Sequence, residues 1–531
     1  MNHSFSNIPE APPCIHDIHY TRFSESKIWN AQRHYYQNGG PALWGSKEIP
    51  YHITSNAQVA QCYAHLIESF LKDYRNSSYP QTEKFYVVEL GAGHGQLGFF
   101  LVRELWQSLR SAAGLNELEM CYVLTDFCEQ NIEAWQKHPR LRRYFEDGLL
   151  DCAHFDVLHD DVCQLRGSGT VLKKGGDSCP LIILCNYIFD SIPQDVFRIE
   201  AGEIKECYLG LTGTGQGDSQ LEAESSLLDM ELHFQYRPIN NRRYEDESKN
   251  AILQNYSARM MDSTITFPNT AMDALARIRA FTTAPSLVLL ADKAFSEESS
   301  WRGDVPPDLV LHGNSFSMMV NLHALSQHFA SNGGTVLNIP DRQFSISIMA
   351  MVGGLGEDIE HTKQAYAKVV ESFSPDDFYV LQSLIESRAD ELQWHELVAN
   401  LRWCHWSSVS FSAVLPGLIS TAEENPVLAR RMVRELAAKV WDNHFYLPQG
   451  DDIAYMLGIL LYTSNYWNDA LGFFTKSLAC SGEQAETYHY MSLCYFRLES
   501  LEMAIEYNSK VLALAPGHDK ARAFSLDLEK E

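Results

Sequence analysis

The chain has 531 residues, and its 68 acidic and 42 basic side chains give a formal net charge of −26. This acidity excludes a general nucleic-acid or membrane-surface binder, because affinity for phosphate depends on a basic surface. With 45% hydrophobic and 21% charged residues the composition is that of a globular protein, and the length favours two or three domains.

Residues 1–80 are predicted to form a helical or irregular segment that packs on the domain after it, with one amphipathic helix at 59–71. The first residues, MNHSFSNIPEAPPC, have neither the basic start nor the apolar stretch of a secretory signal. The apolar run 181–189 is too short to cross a bilayer. The 12 cysteines form no C-x-x-C pair and no metal-ligand spacing appears, so we expect a cytoplasmic protein with reduced thiols and no metal site.

Residues 81–372 alternate short β-rich runs with helical patterns and form the predicted catalytic domain. The predicted strands are 85–90, 122–125, 181–185, 287–290 and 335–338. Apolar strands with helices between them predict an α/β domain with a mostly parallel sheet covered on both faces. The Gly/Ser-rich stretches 166–178 and 212–226 are predicted surface insertions.

Beyond residue 375 the pattern is helix after helix. Apolar positions at 457, 461, 470, 471, 473, 478 and 479 recur 34 residues later. This period, with Ala470 and Ala504 where two helices must approach closely and Pro516 after the second helix, resembles the tetratricopeptide repeat over residues 451–520. We predict a helical linker or degenerate repeats at 373–446 and repeats at 447–531, which either cap the preceding domain or hold a peptide or protein.

A glycine-rich segment, FYVVELGAGHGQLG at residues 85–98, is the most informative motif. A predicted strand ends in Glu89, and Gly91, Gly93 and Gly95 follow before a helix begins. Glycines here allow a sharp turn and the close approach of a ligand to the strand end.

Two ligand classes fit this loop. Gly93, Gly95 and Gly98 formally satisfy the dinucleotide pattern G-x-G-x-x-G, but the negative charge of Glu89 would disfavour a pyrophosphate. An acid suits a cation, and S-adenosylmethionine carries a sulfonium and an ammonium but no phosphate. The arrangement resembles motif I of the class I methyltransferases, whose fold is Rossmann-like.

The later strand ends agree with that resemblance. Asp126 ends the second strand, where a carboxylate can accept both ribose hydroxyls, and Asp156 follows the third, near the expected adenine amino group. The fourth strand ends in Asn186 and Tyr187, where methyl acceptors are normally held. S-adenosylmethionine is therefore the predicted cofactor.

Several short segments are similar to the MidA-type methyltransferases, a family that includes the mitochondrial enzyme methylating an arginine in a respiratory complex I subunit. They are YYQNGG, YHITSN, VELGAGHGQLG, TDFCEQN, CNYIFDSIP and LHGNSFSMMVNLHAL, within residues 20–355. The resemblance implies arginine as the methyl acceptor.

The chain also departs from that family. Asn186-Tyr187 stands where the family has Asn-Glu, and Ser315, Met319 and Asn321 stand where it has two aspartates and a histidine. A guanidinium, with a pKa above 12, needs carboxylates to orient and desolvate it, so these losses weaken arginine as the acceptor. The ring of Tyr187 is instead suited to an aromatic or ammonium-bearing acceptor.

Catalytic roles are predicted for Asn186, which would hydrogen-bond the acceptor, and for Asp190, which would orient it or take its proton. The alternatives are a strand cap for Asn186 and a helix N-cap for Asp190. Thr54 and Ser55 either close over the cofactor or cap the helix that follows them. The absence of a proline after Asn186 argues against base methylation.

Three functions remain open at the level of sequence. The leading hypothesis is a protein methyltransferase whose repeats recruit a basic protein or peptide, since 451–531 hold 12 acidic and 6 basic side chains. The second is a small-molecule methyltransferase, with the repeats serving assembly. The third is a catalytically degenerate cofactor-binding scaffold.

Overall fold

The computed structural model describes residues 18–46, 49, 51–176, 178–213, 227, 230–240, 242–301, 307–339, 346–424 and 426–528. The segment inspected for a secretory signal and residues 214–226 of the second predicted insertion lie outside the described residues. The chain divides into two compact units, one made of residues 1–43, 64–98 and 105–371, the other of residues 44–63, 99–104 and 372–531. The predicted segment 1–80 is thus shared between the two units.

The strands are β1 (Tyr20–Arg22), β2 (Lys84–Glu89), β3 (Glu119–Asp126), β4 (Leu150–His154), β5 (Val162–Gln164), β6 (Val171–Lys173), β7 (Leu181–Asn186), β8 (Asp195–Glu200), β9 (Glu203–Gly213), β10 (Met230–Pro238), β11 (Asp262–Phe267), β12 (Ser286–Asp292), β13 (Ala294–Phe295), β14 (Val310–His312), β15 (Ser315–Ser317), β16 (Val320–Asn321), β17 (Thr335–Leu337) and β18 (Ser347–Gly353).

The helices are α1 (Ile28–Gly39), α2 (Ala42–Gly45), α3 (Ala57–Asn76), α4 (Gln96–Ser111), α5 (Glu129–Lys137), α6 (Arg142–Glu146), α7 (Glu247–Arg259), α8 (Asn269–Arg279), α9 (Leu322–Ser331), α10 (Glu360–Tyr366), α11 (Pro375–Glu386), α12 (Trp394–Trp403), α13 (Ser408–Glu424), α14 (Pro426–Asn443), α15 (Ile453–Thr463), α16 (Trp467–Ser481), α17 (Ala485–Arg497), α18 (Leu501–Leu514) and α19 (Asp519–Leu528). Among the described residues, none of these helices has the length and apolar character needed to span a bilayer.

The first unit is built on a seven-stranded sheet in the order β17-β18-β12-β7-β2-β3-β4. Neighbours from β12 to β4 run parallel, while β18 is antiparallel to β12 and β17. Val88, Ile183 and Val288 are buried at its centre, which follows from helices covering both faces. The five predicted strands and the mixed α/β fold are confirmed.

A second, antiparallel sheet of β1, β8, β9, β10 and β11 was not predicted. Its strand β10 has only half-buried and exposed residues, so it gives no apolar run. Residues 212–213 of the second predicted insertion are strand residues at the end of β9. The first predicted insertion, 166–178, contains one arm of the hairpin β5–β6, and Val162 and Val171 of that hairpin are exposed.

The second unit contains α11 to α19, and consecutive helices from α15 to α19 pack on one another. Two of the recurring pairs are buried in both helix pairs, namely Leu457 with Met491 and Ala470 with Ala504, whereas Leu471 is half-buried and its counterpart Ile505 is exposed. One continuous apolar cluster runs from Ala389 in the turn before α12 to Ala521 in α19. The helices from α12 to α19 therefore share a core.

We expect Gly458→Ala to lower the free energy of unfolding by about 1–3 kcal/mol, because a Cβ there would lie 2.5 Å from Cε1 of Phe474. Gly472→Ala is the matched control, since a Cβ at this helical position meets nothing within 4 Å. The control should gain up to about 1 kcal/mol from helix propensity. Urea denaturation of both variants measures the difference, and equal effects would contradict the packing described here.

Candidate cofactor and acceptor site

The carboxyl ends of the parallel strands meet at one edge of the main sheet, where ligands bind in open α/β folds. Glu89, Asp126 and Asn186 are the last residues of β2, β3 and β7. Asp156 lies two residues beyond β4. The first unit therefore brings these four predicted site residues to the same edge.

The glycine loop between β2 and α4 has a backbone that only glycine adopts without strain. Gly91, Gly93 and Gly95 have φ values of +57°, +55° and +83°. A Cβ would lie 3.0 Å from Cδ1 of Ile188 at Gly91 and 2.8 Å from Cδ1 of Trp135 at Gly95. Both the conformation and the close packing require the glycines that the sequence places here.

Asp126 holds this loop in place. One of its oxygens accepts hydrogen bonds from the Gly93 N–H and from Asn131 Nδ2, both at 3.0 Å, and the other accepts the Cys128 N–H at 2.8 Å. On the far side, Trp135 Nε1 donates to the Gly93 carbonyl at 2.9 Å. A carboxylate offers about four lone-pair directions, so Asp126 can accept one ribose hydroxyl, but not both, without releasing a partner.

His94, inside the glycine loop, was not singled out from the sequence. It is buried, and its Nδ1 accepts the Gln96 N–H at 3.0 Å at the start of α4. Burial lowers the pKa of His94 to about 3, so the ring is neutral. No sequence signal pointed to it, because histidine is not among the residues that usually begin helices.

Glu89 is buried, and its carboxyl accepts the Tyr122 hydroxyl at 2.7 Å. Burial raises the pKa of Glu89 to about 8, and the nearby Asp126 raises it further, against the lowering effect of Tyr122. At neutral pH the carboxyl is therefore largely protonated until a cation approaches.

Asp156 forms an ion pair with Arg33 of α1, with Nη2 of Arg33 2.6 Å from Oδ2 of Asp156. The same guanidinium lies over the ring of Phe127, 4.3 Å from its centroid. The sequence did not point to Arg33. Its guanidinium lies between Asp156, the predicted adenine contact, and Phe127, which follows Asp126.

The turn after β7 carries the predicted acceptor residues. Tyr187 has φ +50° and donates its N–H to the Ala291 carbonyl at 3.0 Å, and both Asn186 and Tyr187 are half-buried. A left-handed bulky residue is uncommon. This turn is anchored on β12, which brings Asn186 and Tyr187 beside the end of that strand.

Asp190 and Asp292 form a buried carboxyl pair beside this turn. Asp190 is not a helix N-cap, because no helix follows it; β8 begins at Asp195. Its Oδ1 accepts the Ser191 hydroxyl at 2.8 Å. Asp292 ends β12, and sequence analysis missed it although an acid at a strand end was the signal used for Asp126.

Polar residues from three further elements surround the pair. Lys293 Nζ lies 2.9 Å from Nε2 of His312, and burial together with Lys293 lowers the pKa of that histidine. The Ser315 hydroxyl donates to the Tyr36 hydroxyl at 3.1 Å. Ser315 thus contributes a hydroxyl where the MidA-type family was expected to have an aspartate or histidine.

Thr54 and Ser55 belong to the second unit. Thr54 is buried, and both residues donate to the Tyr51 carbonyl, Thr54 from its hydroxyl at 3.4 Å and Ser55 from its N–H at 2.9 Å. The helix that follows is capped by Asn56, whose Oδ1 accepts the Val59 N–H at 2.9 Å. The capping alternative for Thr54 and Ser55 was therefore wrong, and their cofactor role stays a prediction.

Residues 66–305 match the model of a protein family described as "Putative S-adenosyl-L-methionine-dependent methyltransferase". The match confirms the predicted enzyme class and cofactor. No curated protein matches the sequence.

Two solved structures from Burkholderia thailandensis, both of one protein superfamily, are similar to this methyltransferase. The first, an uncharacterised protein, is 12% identical with a TM-score of 0.35, over 60% of this chain and 73% of that one. The second, solved with S-adenosyl-homocysteine bound, is 13% identical with a TM-score of 0.42, over 66% and 91% of the two chains. Both TM-scores are too low to establish a shared fold.

The site of the methyltransferase fits its cofactor. The glycine loop follows the strand end where a ligand of an open α/β sheet binds, and the buried Glu89 can ionise when a cation binds. Glu89, Asp126 and the three loop glycines are the residues that would hold S-adenosylmethionine, with Asp156 on the adenine side.

We expect Gly95→Ala to weaken S-adenosylmethionine binding at least tenfold, because the new Cβ strains the backbone and displaces Trp135 from the loop. Gly114→Ala is the control, since Gly114 has a similar φ of +80° but nothing within 4 Å of a new Cβ. It should cost about 1–2 kcal/mol of stability and leave the affinity unchanged. Titration calorimetry decides, and equal affinities for the two variants would contradict this account.

We expect S-adenosylmethionine binding to strengthen as the pH rises through about 8, because the ionised form of Glu89 attracts the cationic cofactor and its pKa is raised to that value. Below that pH, binding must displace a proton. Calorimetry on both sides of this pKa, compared with Glu89→Gln, isolates the effect. The affinity of the glutamine variant should not rise through this pH range. Identical pH dependence of the affinity in both proteins would refute the role of Glu89.

Proposed function

We propose that this methyltransferase modifies a side chain of a protein that is recruited by the C-terminal helices, with arginine as the acceptor implied by resemblance to the MidA-type enzymes. The observation that carries the proposal is the combination of a methyltransferase domain with helix pairs whose buried positions recur every 34 residues, as in Leu457 and Met491. Tetratricopeptide-like arrays commonly bind peptides. The excess of acids in 451–531 favours a basic partner.

The chain's own residues have separate tasks in this proposal. Glu89, Gly91, Gly93, Gly95, Asp126, Asp156, Thr54 and Ser55 bind the cofactor. Asn186 hydrogen-bonds the acceptor, Tyr187 packs its ring against it, and Asp190 orients it or takes its proton.

S-adenosylmethionine supplies a methyl group that its sulfonium already activates. The protein therefore has to place the acceptor in line with that group and exclude water, and positioning provides most of the acceleration. The left-handed turn at Tyr187 supports such positioning, since its N–H is fixed on Ala291. The buried Asp190 supports proton removal.

The cysteines support the proposed cytoplasmic location. Every cysteine in the described part of the chain is free, and all of these except Cys480 are buried. Free thiols persist in a reducing compartment.

The test of the proposal is transfer of labelled methyl from S-adenosylmethionine to protein in a cell lysate. Asp126→Ala should abolish labelling, because it releases the glycine loop, whereas Asp147→Ala, at an exposed acid, should not. Label confined to the low-mass fraction would instead establish a small-molecule methyltransferase. No transfer by a protein that binds the cofactor would support a degenerate scaffold.

Recruitment is tested by charge reversal rather than by truncation, because removing residues after 450 would cut the continuous core of the second unit. We expect the double variant Glu502→Lys, Asp519→Lys to label protein several-fold less and with a weaker dependence on salt. Both residues are exposed in the repeats, and Glu435→Lys, exposed in α14, is the control. Unchanged labelling with the double variant would refute recruitment through this acidic surface.

A further inference from the structure

Asp190 and Asp292 lie side by side at the carboxyl ends of β7 and β12. Asp190 is 3% exposed and Asp292 0%, and the Asp190 N–H donates to Oδ2 of Asp292 at 3.3 Å. Two carboxyl groups that share a buried site do not both ionise readily, because like charges repel strongly away from water. This geometry favours a pair that keeps one proton.

Backbone N–H groups hold the Asp292 carboxyl in place, whereas the Asp190 carboxyl is the one of the pair that is freer to change partners. One Asp292 oxygen accepts the N–H groups of Phe189 at 2.9 Å and Asp190 at 3.3 Å, and the other accepts the Lys293 N–H at 3.0 Å. Asp190 instead accepts the hydroxyl of Ser191, which is half-buried. Ser191 is thus the more exposed neighbour of the pair.

The other titratable groups that face the pair cannot replace it as a proton acceptor at neutral pH. Lys293 is a cation whose charge lowers the pKa of Asp190, and it contacts His312. Burial raises the pKa of Tyr36 to about 12 and that of the Cys185 thiol well above its usual range. These groups keep their protons.

Burial raises the pKa of Asp190 to about 6. Burial also raises the pKa of Asp292, and the charge on Asp190 raises it further. The two carboxyls therefore lose their protons in separate steps, and the second proton is held more tightly than the first, which is the behaviour of two carboxyls in one apolar site.

We propose that Asp292 is a positioning residue that acts through Asp190, and that the two carboxyls together take up the proton that the methyl acceptor releases. The acceptor is then an N–H or O–H group presented at Ser191. Its lone pair forms the new bond to the methyl carbon, the C–S bond breaks with its electrons left on sulfur, and the released proton passes to the anionic oxygen of the pair. This inference rests on the proposed function.

Asp190→Asn is the decisive variant, because its amide can still accept from Ser191 and donate to Asp292 but cannot take up a proton. We expect unchanged cofactor affinity and folding, and a loss of protein labelling of about 100-fold or more, the contribution typical of a general base. Wild-type labelling should decline as the pH falls through about 6, where the pair takes its second proton.

Infrared spectroscopy in the carboxylic-acid C=O stretching region tests Asp292 without any acceptor. Besides the band of the buried Glu89 carboxyl, which Glu89→Gln removes, the wild-type protein at neutral pH should show a second protonated-carboxyl band that both Asp190→Asn and Asp292→Asn remove. Asp151→Asn is the matched control, because Asp151 is buried and also accepts three backbone N–H groups, from Cys152, Gly167 and Ser168. It should leave the signal and the labelling per folded molecule unchanged.

Three results would overturn the inference. One is a wild-type spectrum with no protonated-carboxyl band beyond that of Glu89, and another is the persistence of the second band in Asp292→Asn. The third is wild-type labelling by Asp190→Asn, which would reduce the pair to a structural role. If the wild-type protein transfers no label, the proposed function fails and the pair's catalytic role with it, whereas the infrared signal still reports the shared proton.

Discussion

Carboxylates at the ends of parallel strands hold the loops that follow the neighbouring strands, and the geometry of the whole site depends on this. Asp126 at the end of β3 accepts the Gly93 N–H from the loop after β2. Asp292 at the end of β12 accepts N–H groups from the turn after β7. The backbone donors partly offset the cost of burying each acid, and the acids fix loops that would otherwise have no partner for their N–H groups.

This arrangement explains why buried acids accumulate at one edge of the sheet. Parallel strands place all their carboxyl ends together, so acids there lie close to one another and away from water. Desolvation raises the pKa of Glu89, Asp126, Asp190 and Asp292. Such shifts are what proton uptake and cation binding near neutral pH require.

The sequence predicts the parallel core well because strands covered on both faces are apolar throughout, as 85–90 and 181–185 are. It predicts strand-end acids such as Asp126 for the same reason, since the end of an apolar run is visible. It does not predict that Asp126 accepts the Gly93 N–H from a loop 33 residues earlier, or that Asp292 accepts the Asp190 N–H across 102 residues, because both contacts depend on which strands become neighbours in the sheet. Strand β10 of the second sheet was missed because it has no buried residue and so gives no apolar run.

The residues at this edge of the sheet give a physical explanation for the departures from the MidA-type pattern. Ser315 contributes a hydroxyl to Tyr36 where a family residue was expected to carry charge, so the late segment does not neutralise a cation. In the proposed mechanism the carboxyl chemistry lies instead in Asp190 and Asp292, and the charge of Lys293 lowers the pKa of Asp190. A pair of buried acids opposed by a lysine does little to attract a guanidinium, but it can receive a proton without leaving a buried charge behind. The proposed methyl transfer would therefore depend on proton uptake more than on electrostatic attraction of the acceptor.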